Sequence, residues 1–479
     1  MAALHELGVA ALHAAYAAGT LSPVEVAQAV IAQVARWEPH IAATYAFDAE
    51  AALAMARASE SRWRRCESLG GLDGVPVTIK ENIATRGVPQ PLGTAATELL
   101  PAADDAPPAA RLREAGAVFI AKTTMPDYGM LSSGLSSFHP LTRNPWDLAM
   151  NPGGSSAGAA AAAAAGYGPL HLGTDIGGSI RLPAAWCGVF GLKPSNGRVP
   201  IKPPYLGRVA GPLTRMVSDA AWLMEVLARP DWRDATSLPP QDIAWRDFEV
   251  DPRDFLRGRR IGLLLDAGWG LAVEPETAAA VQAAARAFEG AGAIVEPLAP
   301  FTTRAMADGI DRFWRLRSWL DMEALPPARR ARVLPFIRDW VAPAAGCSAA
   351  RLFEGYGQFA ALRDAAVAAC QPYDFVISPV APVAGFPAEW AMPSNDPARA
   401  MEHIAFTLPC NMSEQPAASI ACGHTAAGPQ GGLPIGLQIA GRRHDDLGVL
   451  RLARAWEQLR PPPRPWPEPP ATPESAARN

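Results

Sequence analysis

Hydrophobic and polar positions along the 479-residue chain switch between a helical and a strand period. Ser22-Pro23-Val24-Glu25 reads as a capping box with proline at the first helical position, opening a helix that runs to about Trp37. A second helix covers roughly Asp48 to Arg65. The pattern then changes. Val75–Ile79 is a short apolar run between glycines and charges, which predicts a strand; Pro108–Ala115 reads as a helix and Ala117–Ala121 as the next strand. Past Gly191 the alternation continues, with strands at Arg260–Leu265, Ala293–Pro297, Asp374–Ser378 and Pro434–Ala440. Helices are predicted over Glu274–Gly290, as one long stretch from Arg304 to Ala369, and over Asp446–Leu459. Residues 229–258 lack a clear period and read as a surface excursion. From Arg460 a proline-rich tail is expected to be disordered. Short apolar runs alternating with helices predict an α/β protein with a buried sheet.

Between Leu148 and Thr174 there is no Asp, Glu, Lys or Arg, a feature that could be mistaken for a membrane span. Glycines and prolines divide it, and its apolar part is mostly alanine, so a buried Ala-rich helix is the better reading. Composition adds limits. Apolar residues make up 49% and charged residues 19%, which excludes wholesale disorder. The formal net charge of -4 offers no basic excess for nucleic acid or an anionic membrane. Six scattered cysteines form no CxxC pair, so free buried thiols are expected, with no metal and no cofactor. The first residues lack a basic region before an apolar stretch, so no signal peptide is read and the expected location is cytoplasmic.

The chemistry concentrates in two glycine–serine runs, Gly153-Gly154-Ser155-Ser156-Ala157-Gly158 and Gly173-Thr174-Asp175-Ile176-Gly177-Gly178-Ser179-Ile180-Arg181, joined by the Ala-rich helix. Such turns can aim backbone N–H groups at one point, for a phosphate or a transient oxyanion. Neither run has the Gly-Lys-Ser/Thr of a Walker loop. A hydroxyl needs a base to act as a nucleophile, and no histidine adjoins these serines. Lysine can serve if it is held neutral, and Lys80, at the end of an apolar strand, is the best candidate. Read singly, Lys80 is a solvated strand-end lysine, Ser155 a helix N-cap and Arg181 an ion-pair residue; His139, His171 and His424 read as structural, and Trp186 and Cys187 as core.

Read together, these residues resemble the amidase signature family of serine amide hydrolases. Asn151–Gly158 through Gly173–Pro194 is similar to its signature almost end to end. Gly74–Asn82 resembles its lysine motif, Asn144-Pro145-Trp146-Asp147 is also similar, and Gly432–Gly441 resembles its closing strand. The resemblance implies a single α/β/α domain over residues 1–459, with a mixed central sheet covered by helices and a signature core at about 74–200, followed by the tail at 460–479. It implies Ser179 as nucleophile, Ser155 as the bridging serine behind a cis Gly154–Ser155 peptide, and Lys80 as base. The backbone N–H groups of Ile176, Gly177, Gly178 and Ser179 would form the oxyanion hole, with Ser156, Asp175 and Arg181 orienting the triad. Met130 and Ser132 are candidate substrate-binding residues, in a stretch where Met and Trp side chains could line an acyl pocket. Ala157 and the Cys410–Pro416 segment depart from the common pattern; were position 157 to need a positive φ, alanine would strain the loop.

The reaction so implied is hydrolysis of a linear amide through a Ser179 acyl-enzyme, releasing an acid and ammonia or an amine. The partner is a small-molecule amide, with no nucleic acid and no membrane, and a homodimer rests on the family likeness alone. Three alternatives stand beside it: the amidase subunit of a glutamine-dependent tRNA amidotransferase, a urea- or carbamate-type hydrolase, and, outside the class, a nucleotide-binding module using the Gly153–Gly158 loop. For the amidotransferase role, no glutamine-binding arginine region is recognised around Phe313–Leu320.

Overall fold

In a computed structural model, which describes residues 3–427 and 432–470, eleven strands form one mixed sheet among the described residues. They are β1 (Thr44–Tyr45), β2 (Pro76–Lys80), β3 (Val118–Thr123), β4 (Leu170–Asp175), β5 (Phe190–Lys193), β6 (Val209–Thr214), β7 (Arg260–Leu263), β8 (Ile294–Pro297), β9 (Phe375–Pro379), β10 (Ala417–His424) and β11 (Pro434–Gly441). Their order is β1-β3-β2-β4-β6-β5-β10-β11-β9-β7-β8. β3, β2 and β4 run parallel, as do β9, β7 and β8, while the pairs between β4 and β9 are antiparallel. Helices cover both faces, and the chain is a single α/β unit as expected.

Side chains alternate across a strand, and here that alternation sorts core from site. In β2, Val77 and Ile79 enter the core beneath the helices Val9–Ala17, Val217–Leu227 and Asp446–Leu459. Lys80, one residue on from Ile79, therefore points to the opposite face, which carries the helix Ala157–Ala165. That helix is the expected Ala-rich one, and all nine of its residues are buried. Small side chains let it lie directly on the sheet. A Cβ added at Gly158 would run into the Ala43 carbonyl and the Thr124 backbone, whose carbonyl accepts from the Gly158 N–H at 3.1 Å. Gly158→Ala is therefore expected to destabilise the fold by about 3 kcal/mol, since overpacking against backbone cannot relax by a rotamer change; equal urea midpoints for variant and parent would refute this. Ala157 is the first residue of the helix and has no positive φ, so alanine there brings no backbone strain.

Two expectations need correction. The stretch from Arg304 to Ala369 is not one helix but Arg304–Glu323, Pro327–Arg330, Pro335–Val341, a short 3-10 turn and Ala349–Cys370. Prolines open the two inner segments, where a missing N–H and a fixed φ prevent continuation. The proline-rich tail is not loose over residues 460–470: Trp466 lies under Arg215, 4.4 Å from guanidinium carbon to ring centroid, and 6.1 Å from the Trp146 ring. One large aromatic provides enough apolar area to dock an otherwise irregular segment. Residues 471–479 of the expected tail lie outside the described residues. The excursion at 229–258 is largely irregular as expected, yet it sends Trp245, Phe248 and Leu256 into the core. All six cysteines are free, but only Cys187, Cys370 and Cys410 are buried. No described helix is long and apolar enough to cross a membrane.

Candidate active site

The two glycine–serine turns meet above the C-terminal ends of β2 and β4. Lys80 ends β2 fully buried, with Nζ 2.8 Å from Ser155 Oγ and 3.0 Å from Ser156 Oγ. The Gly154–Ser155 peptide is cis. The Ser156 N–H donates to the Ser179 carbonyl at 3.1 Å, which ties the first turn to the second. Ser156 Oγ also accepts from Thr174 N–H at 3.2 Å, so it joins Lys80 to the end of β4. Ser155 and the half-buried Ser179 share the wall of one cavity of 740 Å³, large enough for a drug-sized molecule.

Burial disfavours a charge on Lys80, and the nearby Arg208 cation adds to the effect, against the opposing pull of Asp175 and Glu81. Its pKa consequently falls well below that of an ordinary lysine. A lysine with its pKa so lowered, and with two hydroxyls in reach, is equipped to accept a proton from serine.

Asp175 and Arg181 form a fully buried ion pair at 3.0 Å. Burial alone would raise the Asp175 pKa; the Arg181 charge, the hydrogen bonds from Arg181 and Asn411 and the Lys193 charge together outweigh it and hold the carboxylate below its usual range. Asp175 also accepts from the N–H groups of Gly178 and Ile180, at 2.8 and 3.0 Å, and from Asn411 Nδ2 at 2.8 Å. Arg181 in turn donates to the Thr407 carbonyl, Gln438 Oε1 and Asn411 Oδ1 at 2.6–2.8 Å. The pair therefore pins the turn that carries Ser179 to two distant segments, Thr407–Asn411 and the strand bearing Gln438.

This geometry modifies the expected oxyanion hole. The Gly178 N–H is spent on Asp175, while Ile176, Gly177 and Ser179 line the cavity. Gly178 serves another purpose: its φ of 131° suits only glycine, and an added Cβ would strike Leu182 and Thr407. Met130 and Ser132 both line the cavity, with Ser132 Oγ 2.7 Å from His403 Nε2. Met125, from the same stretch as Met130, joins them, as do Trp314 and Trp340. His139 pairs with Glu81 and His171 with Thr78, outside the cavity. The phosphate-nest alternative loses its basis, because the Gly153, Ser156 and Gly158 N–H groups already bond to Asn151, Ser179 and Thr124.

Several residues here escaped the sequence reading. Thr407 Oγ1 donates to the Gly177 carbonyl at 2.6 Å, and Asn82 Nδ2 to Thr174 Oγ1 at 3.1 Å. Asn411 and Gln438 lie in segments already noted, and a glutamine inside the apolar run Pro434–Ala440 was a legible sign of a buried partner. Arg208 carried no such sign, and Arg317 lies within Phe313–Leu320, where the sequence alone shows no substrate-binding arginine region, yet both line the cavity.

The Amidase family profile matches residues 25–450. The A-type subunit of glutamyl-tRNA(Gln) amidotransferase from Chloroflexus aggregans is 34% identical, over 96% of this chain and 97% of its own. A bacterial aryl acylamidase of the amidase signature family superposes with a TM-score of 0.86 at 28% identity, covering 96% of this chain and 97% of that one. The peptide amidase of Stenotrophomonas maltophilia gives 0.81 at 26% identity, covering 97% and 99%. The amidotransferase relation removes support for the expectation that nucleic acid plays no part.

Proposed function

Because the chain belongs to the amidase signature family, we propose that it hydrolyses a carbon–nitrogen amide bond through an acyl-enzyme on Ser179. The observation that carries this reading is the buried Lys80 amine 2.8 Å from Ser155 Oγ, in the same cavity wall as Ser179. Neutral Lys80 accepts a proton from Ser155 as Ser155 takes that of Ser179, whose oxygen attacks the carbonyl carbon. The developing oxyanion is met by N–H groups of Ile176, Gly177 and Ser179, each such donor being worth about 3 kcal/mol in comparable sites. As the tetrahedral intermediate collapses, the proton returns through Ser155 to the departing nitrogen. Water then cleaves the ester by the same relay. Ser156, Asp175 and Arg181 act as positioning residues, and Met130 and Ser132 contact the substrate.

The test is rapid acid quench during hydrolysis of an anilide, followed by peptide mass mapping. A burst of aniline, with the acyl mass on the peptide containing Ser179, is the expected result. An acyl group on another residue, or aniline release that persists undiminished in Ser179→Ala, would overturn it. The relation to the amidotransferase favours a second reading, an amidase component that releases ammonia from glutamine within a larger assembly. It predicts glutamine hydrolysis that rises severalfold only when partner subunits are added.

A further inference from the structure

The cavity wall beside Ser179 carries positive charge that nothing in the hydrolytic relay uses. Arg208 immediately precedes β6, and Val209 pairs in register with Asp175, the last residue of β4. This register sets Arg208 just past the end of β4, alongside the turn that leads to Ser179. Its Nη1 donates to the Pro203 carbonyl at 3.0 Å, and among the described residues no carboxylate pairs with it. Arg317 lies over the Tyr205 ring at 4.1 Å, and the Arg208 N–H bonds to the Tyr205 carbonyl at 2.9 Å, so the two guanidinium groups belong to one cluster. Lys202 stands at the same wall. Of the two carboxylates there, Asp175 is locked to Arg181, and Asp321 lies 3.9 Å from Arg317, leaving Arg208 uncompensated.

A second observation points the same way. The buried Tyr205 hydroxyl on this wall faces two donors, the Trp314 indole N–H and the Arg317 guanidinium, which leaves its own O–H without an acceptor. The Trp314 ring sits near Gly177, 3.4 Å from where a Cβ would be, so this donor cluster adjoins the reacting centre. Buried donors without acceptors are costly unless a ligand supplies the acceptor. Arginines with additional N–H and O–H donors match a planar, acceptor-only group.

On the reading of the site as an amidase, we propose that Arg208, assisted by Arg317, binds a carboxylate of the substrate. The preferred substrate is then an amide with a carboxylate near the scissile bond and an apolar or aromatic group against Met130, Trp340 and Met392.

Two matched pairs test this. Succinanilate and butyranilide differ by a carboxylate on the acyl side, and N-benzoylglycine and N-ethylbenzamide by one on the amine side. The parent protein is expected to prefer the carboxylate member of at least one pair by about tenfold or more in kcat/KM. Arg208→Gln should collapse that ratio towards one, and Arg208→Lys should restore part of it, which a purely structural role would not. Binding of the same pairs to Ser179→Ala, by calorimetry, should show the same preference without turnover. Equal kcat/KM and equal affinity within both pairs would overturn the inference while leaving the amidase reading intact. Cleavage that survives Ser179→Ala would instead overturn the amidase reading itself.

Discussion

Lys80→Met and Ser179→Ala are each expected to lower kcat by about 10⁴-fold or more, and the double variant to lose little beyond either single one, because a proton relay fails as a unit. Methionine matches the length of lysine and removes a buried amine, so the fold of Lys80→Met should persist; circular dichroism and thermal melting check that the loss lies in the chemistry. The pH profile separates a base from a structural lysine. Activity requires neutral Lys80, so kcat/KM should rise with pH as Lys80 loses its proton and then level off. Because burial, reinforced by Arg208, lowers that pKa, the plateau should begin well below the ordinary lysine range. A profile still rising through the ordinary lysine range, or multiplicative losses in the double variant, would remove Lys80 from the relay.

Arg181→Met is expected to cost about 3–5 kcal/mol of stability near neutral pH, with activity lost as well, because it leaves the Asp175 carboxylate buried without its counter-charge. Methionine also strands the Thr407 carbonyl, Gln438 Oε1 and Asn411 Oδ1, which all accept from the guanidinium. The pH dependence should change character. In the parent, the Asp175 pKa is depressed, so its contribution to stability is present above the unfolded carboxyl range and lost as pH falls through the folded pKa. In the variant, burial raises that pKa, the folded state binds the extra proton, and stability should fall as pH rises through it. Asp175→Asn in the same chain should recover part of the loss, since no charge is then buried alone. Urea denaturation at pH 5 and pH 8 decides: an equal loss at both, with no recovery in the double variant, would mean that the ion pair is not what holds the Ser179 turn.

The sequence made the chemistry legible because its parts are local. The strand ending in Lys80 shows in the run Val75–Ile79, and the two turns show in their glycines and serines. The helix Ala157–Ala165 could be foreseen as buried because alanine allows close approach to a sheet. The capping box at Ser22 and Glu25 is present as read, with Ser22 Oγ accepting from Val24 N–H at 3.0 Å and Glu25 accepting from Ser22 N–H at 2.8 Å. Less legible were the breaks in the long helical stretch, where Pro327, Pro335 and Pro343 outweighed the helical period, and the docking of Trp466, which depends on a surface made by Arg215 and Trp146.

By itself, then, the sequence determined the α/β class, the strand and turns that bear Lys80, Ser155 and Ser179, and the family, since each depends on residue type and spacing within a short segment. Only the tertiary structure decided how far Lys80 is buried, that the Gly178 N–H serves Asp175 and not an oxyanion, and that Thr407, Asn411 and Gln438 hold Arg181 from segments more than two hundred residues away. It also brought Arg208 and Arg317 to one wall. The physical reason is common to all of these: desolvation, ion pairing and the sharing of a donor between acceptors depend on distances across the sheet, and chain spacing does not encode them.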